Sequence, residues 1–455
     1  MHPSVTLDPA LLDKYPLRGP RYTSYPTAPN FTPLFKQADF LKAAAQSDNN
    51  NLSLYVHIPF CHYLCYYCGC NKIVTQLQTK ANVYLNHLIE EIKQQAEQFG
   101  AKAVTHLHFG GGTPNFLTDD QLLQLMNELK THFYFTTDAQ ISIEIDPRDM
   151  TVERIDAMAD MGFNRLSIGL QDTDPKVQKA INRVQSTELI ASLVARAKER
   201  QFRSVNLDLI YGLPHQTPES FANTLEAVHA MQVERVSLFS YAHLPERFAA
   251  QRKLSVETLP NAEQKLALMH LAVDKLTQFG YQFIGIDHFA LPNDELALAQ
   301  QDNSLMRNFQ GYTTGQNTDL LGLGVTAISA VGDSYSQNQK GLADYYYAIE
   351  HQKSALEKGL TLSKDDRIRR RVISDIMCNS MVDKTAISVC FNIDFDEYFA
   401  SELRGLTMFI KDGLMLDLPH ALYIQPKAQL LLRSICMAFD AYLGLDTQQT
   451  FSATI

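Results

Sequence analysis

Apolar and polar positions follow two rhythms along this chain. From residue 51 onward, short apolar runs recur at Leu52–Ile58, Val104–Phe109, Ile141–Ile145, Arg165–Leu170, Val205–Ile210 and Val236–Tyr241. They predict strands covered on one side and lining a packed or occupied interior on the other. Between them lie helix-like segments: Thr79–Phe99, Asp119–Phe133, Val152–Met161, Thr187–Arg200 and Pro218–Met231. Thr118, three residues before Gln121, and Thr151, three before Arg154, take N-cap positions on the second and third of these. Such alternation predicts parallel strands joined by helices, as an incomplete α/β barrel or a doubly wound sheet. In both, the loops that follow the strands form the working face.

The rhythm breaks at both ends. Residues 1–50 contain Pro3, Pro9, Pro16, Pro20, Pro26, Pro29 and Pro33, which predicts an irregular arm with a short helix at Leu11–Tyr15. Beyond Tyr241, Asn261–Phe279 reads as a helix and Tyr281–His288 as a strand. Phe309-Gln310-Gly311-Tyr312 and a glycine-rich stretch, Gly322 to Ile328, follow. From about residue 365, Arg367–Met377, Phe395–Lys411 and Leu430–Leu443 read as helices. Gly413–Leu418 and Ala421–Ile424 read as a hairpin, a winged-helix-like order. This segment is not strongly basic, so covering a substrate mouth suits it better than gripping DNA.

Composition narrows the class. The chain has 455 residues, 45% of them hydrophobic, and a net charge of −10. That length supports two or three domains and a substantial core. The charge disfavours nucleic-acid or anionic-membrane binding as the main role. No apolar run approaches the roughly 18 residues of a membrane span. Met1-His2-Pro3-Ser4-Val5 lacks the basic-then-apolar pattern of a secretory signal. Seven cysteines, mostly clustered, argue against a disulfide framework and for a reducing cytoplasm.

The candidate chemistry starts at Cys61-His62-Tyr63-Leu64-Cys65-Tyr66-Tyr67-Cys68-Gly69-Cys70, which holds four of the seven cysteines in ten residues. CxxxCxxC lets three thiolates fold round one soft-metal centre. Zinc usually takes a second Cys/His pair, which does not follow here, and bacterial ferredoxin runs use shorter steps. A four-iron cubane on three cysteines would leave one iron free to bind a ligand. Four ordinary thiols are the alternative. Cys378, Cys390 and Cys436 stand in apolar company and read as core thiols. After the second strand comes His108-Phe109-Gly110-Gly111-Gly112-Thr113-Pro114. It is neither a P-loop nor GxGxxG, and serves either as a tight turn or as a place where backbone approaches a ligand. Glu144, Gln171 and Asp208 at later strand ends, with Arg183 beyond the fourth strand, look like a polar ring round one mouth.

Taken together, CxxxCxxC, the glycine run and the βα series resemble the radical S-adenosylmethionine enzymes. More closely, Pro20-Arg21-Tyr22-Thr23-Ser24-Tyr25-Pro26, the Gly69-Cys70 ending and Asn308-Phe309-Gln310-Gly311-Tyr312 resemble the oxygen-independent coproporphyrinogen III oxidase family, essentially end to end. The related heme chaperone-like proteins usually lack the arm and tend to carry Asp-Phe in place of Gly69-Cys70.

The resemblance implies an α/β fold, an incomplete (βα)6 partial TIM barrel at 51–364 extended by further strands. An N-terminal arm at 1–50 would lie over the active site, and a mainly helical, winged-helix-like domain would occupy 365–455. It implies a [4Fe–4S] cluster on Cys61, Cys65 and Cys68, with Cys70 a catalytic neighbour rather than a ligand. S-adenosylmethionine would contact Tyr55, Tyr67, Gly111, Gly112, Thr113, Glu144, Gln171, Arg183, Asp208, Ala242 and Ile328. A second S-adenosylmethionine would meet Gly112, Ile210, Ala242, Phe309, Gln310 and Ile328. The implied reaction belongs to heme biosynthesis. A 5′-deoxyadenosyl radical takes a hydrogen from a substrate propionate, CO₂ and one electron leave, and two rounds convert coproporphyrinogen III to protoporphyrinogen IX. A reducing donor such as a flavodoxin or ferredoxin system, a monomeric state, and no nucleic-acid or membrane partner complete the expectation. Arg18 and Arg21 are expected to hold propionates by charge complementarity. The competing readings are a heme-trafficking protein without decarboxylase activity and a winged-helix regulator that uses the cluster as a redox sensor.

Overall fold

The computed structural model describes Leu11, Lys14, Tyr15 and residues 19–443. By its contacts the chain forms two compact units. One comprises Phe31–Asn261 and Asn317–Thr361; the other comprises Met1–Asn30, Ala262–Gln316 and Leu362–Ile455. The three consecutive segments expected from the sequence are therefore divided differently. The arm parts at residue 30, and 262–316 group with the C-terminal residues.

The first unit is built on six parallel strands side by side in chain order: β1 (Asn51–Ile58), β2 (Ala103–Gly111), β3 (Tyr134–Ile145), β4 (Arg165–Gln171), β5 (Ser204–Tyr211) and β6 (Arg235–Ser240). The helices α1 (Gln78–Phe99), α2 (Asp119–His132), α3 (Val152–Met161), α4 (Thr187–Glu199) and α5 (Pro218–Met231) alternate with them. On the other side of β1 lie β7 (Thr318–Leu323), parallel to it, and then β8 (Ile328–Val331), β9 (Ser334–Asn338) and β10 (Leu356–Thr361), each antiparallel to its neighbour. The strands form because their apolar face is covered: Leu52, Leu54, Val56 and Ile58, on one face of β1, are all fully buried, and Ser53 and His57 on the opposite face are buried as well. The helices form because one stripe of each is apolar, as with Tyr84, Leu85, Leu88 and Ile92 of α1. Thr118 caps α2 as expected, accepting from the Gln121 amide at 3.3 Å. Thr151 occupies the N-cap of α3, but its side chain makes no capping bond. Among the described residues no helix is long and apolar enough to cross a membrane.

A buried network in this unit sets the loop between β7 and β8. Glu91 of α1 is 1% exposed and accepts from Gly324 N (2.6 Å), Tyr345 Oη (2.7 Å) and Asn338 Nδ2 (2.7 Å). Tyr84 Oη accepts from Val325 N at 3.1 Å and donates to the His57 carbonyl at 2.6 Å. Burial pushes the Glu91 carboxyl up from 4.5 to about 7, against the three donors that favour its ionised form. The folded chain therefore holds this proton through a window, from about 4.5 to about 7, in which the unfolded chain has lost it. Stability is then lost as pH rises through that window, by about 3 kcal/mol in all. Denaturant melts of the cluster-free chain at pH 5 and pH 8 should show this loss. Glu91→Gln should show about 3 kcal/mol less loss; an unchanged difference between the two pH values would refute the assignment.

The second unit packs Tyr15, Tyr22 and Tyr25 with Ile284, Leu305, Tyr312, Val372, Ile376, Phe399, Ile435 and Phe439 in one core. Helix Ala262–Gln278 matches its expected span closely. Tyr281–His288 is not one strand. Gln282–Gly285 and His288–Ala290 pair antiparallel, with the chain reversing through Ile286, whose φ is 44°. Phe395–Lys411 is three short helices, Phe395–Tyr398, Ala400–Gly405 and Thr407–Lys411. They break at Phe399 and next to Gly405, a poor helix former, and Phe399 and Leu406 turn fully into the core. Leu430–Leu443 is helical only over Leu432–Met437, after a 3-10 turn at Pro426–Leu431. Asp440 then takes the Tyr442 amide at 2.9 Å and Tyr22 Oη at 3.0 Å, which favours a turn over a further helical bond. The hairpin holds as Met415–Asp417 against Ala421–Ile424, joined by a third strand, Met381–Asp383. Of the three cysteines read as core thiols, Cys378 and Cys436 are buried, but Cys390 is exposed. In the arm, Gln37–Ala45 is a helix the prolines concealed; Phe40, Ala43 and Ala44 supply its buried face. Of the helix expected at Leu11–Tyr15 only Leu11, Lys14 and Tyr15 are described, and Arg18 lies outside the described residues.

Candidate functional site

The cysteine loop leaves β1 and is bracketed by a short parallel bridge, Phe60–Cys61 against Ile73–Val74. The segment after β4 pins it: Tyr66 N donates to the Ile181 carbonyl at 3.0 Å, and Asn182 Nδ2 donates to the Leu64 carbonyl at 2.8 Å. Strand ends from β2 to β6 face it, as parallel connection requires. The result is a cavity of about 220 Å³ that collects Cys61, Cys65, Cys68, Cys70, Tyr67, Gly111, Gly112, Thr113, Glu144, Gln171, Arg183, Asp208 and Ile210.

Two glycines of the run shape its wall. Gly111 has φ +111°, and a Cβ there would stand 2.5 Å from the His57 ring. At Gly112 a Cβ would meet the backbone of Pro59 and Phe60 at 2.8 Å. Neither place tolerates a side chain, so the β2 loop can run close against the cysteine loop.

The thiols sit among donors. Thr113 Oγ1 donates to Cys61 Sγ at 3.3 Å. Arg148 Nη2 and Arg183 Nη1 approach Cys65 Sγ at 3.3 and 3.5 Å. Cys70 N donates to Cys68 Sγ at 3.4 Å, and Lys72 Nζ donates to the Cys68 carbonyl at 3.1 Å. Burial pushes the Cys61 thiol up to about 12. Cys68 is lowered, first by its bond from the Cys70 thiol, and Cys70 is raised correspondingly.

Behind Cys65 lies an ion pair the sequence reading missed. Asp146, 7% exposed, meets Arg183 Nη1 at 3.0 Å and Arg148 Nη2 at 2.5 Å. Burial alone would raise this carboxyl, but Arg183 and Arg148 outweigh it and hold Asp146 below its ordinary value. Arg183 Nη2 also donates to the Gly169 carbonyl at 2.7 Å. The signal for Asp146 was present: it stands two residues after Glu144 at the end of β3, on the same face.

The other polar groups are individually oriented. Glu144 Oε1 lies 3.0 Å from His108 Nε2; burial would raise the carboxyl, but His108, the Gly111 backbone and His57 together lower it by more. Asp208 accepts from Asn206 Nδ2 at 2.8 Å and Ser167 Oγ at 3.1 Å. Gln171, at φ 66°, leaves its buried Oε1 without a hydrogen-bond partner.

Five expected contacts lie outside this cavity. Tyr55 stacks on His108 at 5.9 Å and bonds His57 Nδ1 at 3.1 Å. Ala242 is held from behind by Gln251, 2% exposed, whose Nε2 donates to the Tyr67 carbonyl at 3.0 Å and the Ala242 carbonyl at 3.1 Å. Ile328 opens β8. Phe309 and Gln310 belong to a hairpin of the second unit. Lys72, Tyr63, Ser167 and Phe239 line the cavity without having been anticipated.

The donor set fits an iron–sulfur cluster with an adenosyl ligand. Three cysteines on one loop are free thiols, two of them buried. Nitrogen and hydroxyl donors to sulfur offset the negative charge such a cluster brings. No three His, Cys, Asp or Glu side chains among the described residues could hold a single metal ion; a cubane needs none, because each thiolate takes a different iron. The unmatched Gln171 Oε1 and the glycine wall provide an acceptor and room for a ligand beside the cysteines.

Comparison with known proteins agrees with this chemistry. The radical SAM superfamily model matches residues 55–228. The oxygen-independent coproporphyrinogen III oxidase of Salmonella typhimurium strain LT2 is 51% identical over 449 residues, covering 98% of both chains. The protein of that name from Pseudomonas aeruginosa is 46% identical over 99% of both. Among solved structures, the radical SAM coproporphyrinogen III oxidase of Escherichia coli superposes with a TM-score of 0.94 at 49% identity, covering 97% of this chain and all of that one.

Proposed function

This chain belongs to the oxygen-independent coproporphyrinogen III oxidases of the radical SAM superfamily, and from that membership we propose that it oxidatively decarboxylates two propionates of coproporphyrinogen III to vinyl groups, giving protoporphyrinogen IX. The observation that carries this reading is the convergence of the cysteine loop and the polar strand ends on one cavity.

The chain's own residues divide the work. Cys61, Cys65 and Cys68 would hold the cluster, which as the chain's only ligands to it would leave it able to bind S-adenosylmethionine. When bound, the pair supplies one-electron cleavage of the sulfonium bond and a hydrogen-abstracting carbon radical. Arg183 presents a buried positive charge for the methionine carboxylate, and Asp146 keeps that charge compensated. Glu144 and Asp208 offer acceptors for the ligand's ammonium and ribose hydroxyls. Ile210 and Phe239 give the cavity an apolar side that keeps water from the reactive carbon. A one-electron donor of the flavodoxin or ferredoxin kind would supply the reducing electron, and we propose that the chain works as a monomer.

The heme-trafficking reading makes a different prediction. On the decarboxylase reading, anaerobically reconstituted protein with reductant and S-adenosylmethionine should release 5′-deoxyadenosine in proportion to the coproporphyrinogen III added, and should retain no stoichiometric heme on purification. One heme per chain with no substrate-dependent release would favour the trafficking protein.

A further inference from the structure

In the second unit the charges of Arg21, Arg307 and Arg433 act on one carboxylate, and of the three only Arg21 pairs with it. Asp287, 6% exposed, lies 3.7 Å from Arg21 (Oδ2 to Nη1) and 2.6 Å from His288 Nδ1. Burial would raise its carboxyl, but His288, Arg307 and Arg21 bring it far below the ordinary range. Arg433, 5% exposed, donates to the carbonyls of Pro20 (3.0 Å) and Gly19, which fixes the arm segment that carries Arg21. Burial first and the Arg21 charge second lower Arg433 to about 10 and Lys265 to about 8. Positive charge is therefore in excess around Asp287.

Arg307 is the member of this group without an acceptor. It stands on strand Met306–Asn308, paired with Gly311–Thr313. Its guanidinium lies 4.6 Å from the centre of the Tyr312 ring, and its Nε and Nη1 are buried with no hydrogen-bond partner. Gln310 Nε2, at the turn of the same hairpin, is also buried and unpartnered. Tyr312 Oη donates to the Met377 carbonyl at 3.1 Å, which seats the hairpin. Buried donors without acceptors are rare in folded proteins; three of them fall on this one short hairpin, beside excess positive charge. Guanidinium donors with a neutral amide and a nearby carboxylate suit a singly charged acceptor better than a dianion such as phosphate.

Resting on the function proposed above, we propose that Arg307, with Gln310 and Arg21, binds a propionate carboxylate of the porphyrinogen substrate and so determines how its ring is held. The same chemistry would accept the methionine carboxylate of an S-adenosylmethionine, and the test separates the two. Binding of coproporphyrin III, the fluorescent oxidised ring with the same four carboxylates, is measured on the cluster-loaded full chain. Its tetramethyl ester and S-adenosylmethionine are measured in parallel. Arg307→Gln should weaken coproporphyrin III about ten- to hundredfold, Arg307→Lys should recover part of that, and ester and S-adenosylmethionine binding should not change. Unchanged coproporphyrin III binding, an equal loss for the ester, or a loss confined to S-adenosylmethionine would overturn the proposal. Should Arg307→Gln fail to fold, Arg21→Gln, whose side chain is 42% exposed, carries the same comparison. If the unaltered chain binds no coproporphyrin III, the functional reading itself fails; if it binds but ignores these substitutions, only the present inference does.

Discussion

Replacing Cys61, Cys65 or Cys68 by Ser, one at a time, should each remove the iron–sulfur cluster and abolish turnover, while Cys70→Ser keeps the cluster. All four thiols lie in one loop at one cavity, so proximity does not separate ligand from neighbour. The environment does. Cys61 and Cys65 are buried, and receive hydroxyl and guanidinium donors respectively. Cys70 is exposed, and its contribution to Cys68 Sγ includes a backbone N–H at 3.4 Å that a serine retains. A fourth cysteine ligand would also close the coordination that S-adenosylmethionine needs. Iron and sulfide analysis with the visible absorption of the reconstituted proteins reads the result. Turnover in the three ligand variants should fall by about 10⁶-fold or more, the lower end of ordinary enzymatic acceleration. A Cys70→Ser protein without iron, or a cluster intact in Cys65→Ser, would reverse the assignment.

Asp146→Ala should destabilise the chain by about 3–5 kcal/mol, the cost of leaving a buried guanidinium uncompensated. Both Arg183 and Arg148 turn to this carboxylate, and both also approach Cys65 Sγ. The loss therefore extends to the cluster loop: Arg148 and Arg183 lose the partner that orients them, and cluster retention should fall with stability. Asp146→Asn keeps the acceptor oxygen and should lose less. Denaturant unfolding of the cluster-free variants measures the first effect, and iron content after reconstitution measures the second. A change in Asp146→Ala below about 1 kcal/mol, the range of an exposed ion pair, would mean that the pair is solvated rather than buried.

The parallel series was legible in the sequence because its signal is local. The buried face of each strand shows as a short apolar run, and β1 to β6 fall where those runs fall. The cysteine loop was legible from spacing alone, and Glu144, Gln171 and Asp208 from their places at successive strand ends. Asp146 escaped because Pro147 and Arg148 look like an ordinary turn, although two-residue alternation puts it beside Glu144. Gln251 carried no signal at all, since it reaches the carbonyls of Tyr67 and Ala242 from an irregular stretch after β6. The division into units was hidden for a similar reason. β7 pairs with β1 across more than two hundred residues, through contacts such as Leu54 with Leu321, and no short-range pattern records such a partnership. The breaks at Phe399 and Gly405 show core packing overriding a helical pattern that continues through them.

Anaerobic turnover tests the central claim most directly. Reconstituted protein, a one-electron reductant, S-adenosylmethionine and coproporphyrinogen III are combined, and the porphyrinogen product and released CO₂ are quantified together. Two CO₂ for each protoporphyrinogen IX formed, with none when S-adenosylmethionine is omitted, is the predicted result. Cleavage of S-adenosylmethionine by an intact cluster with no vinyl product and no CO₂ would contradict it.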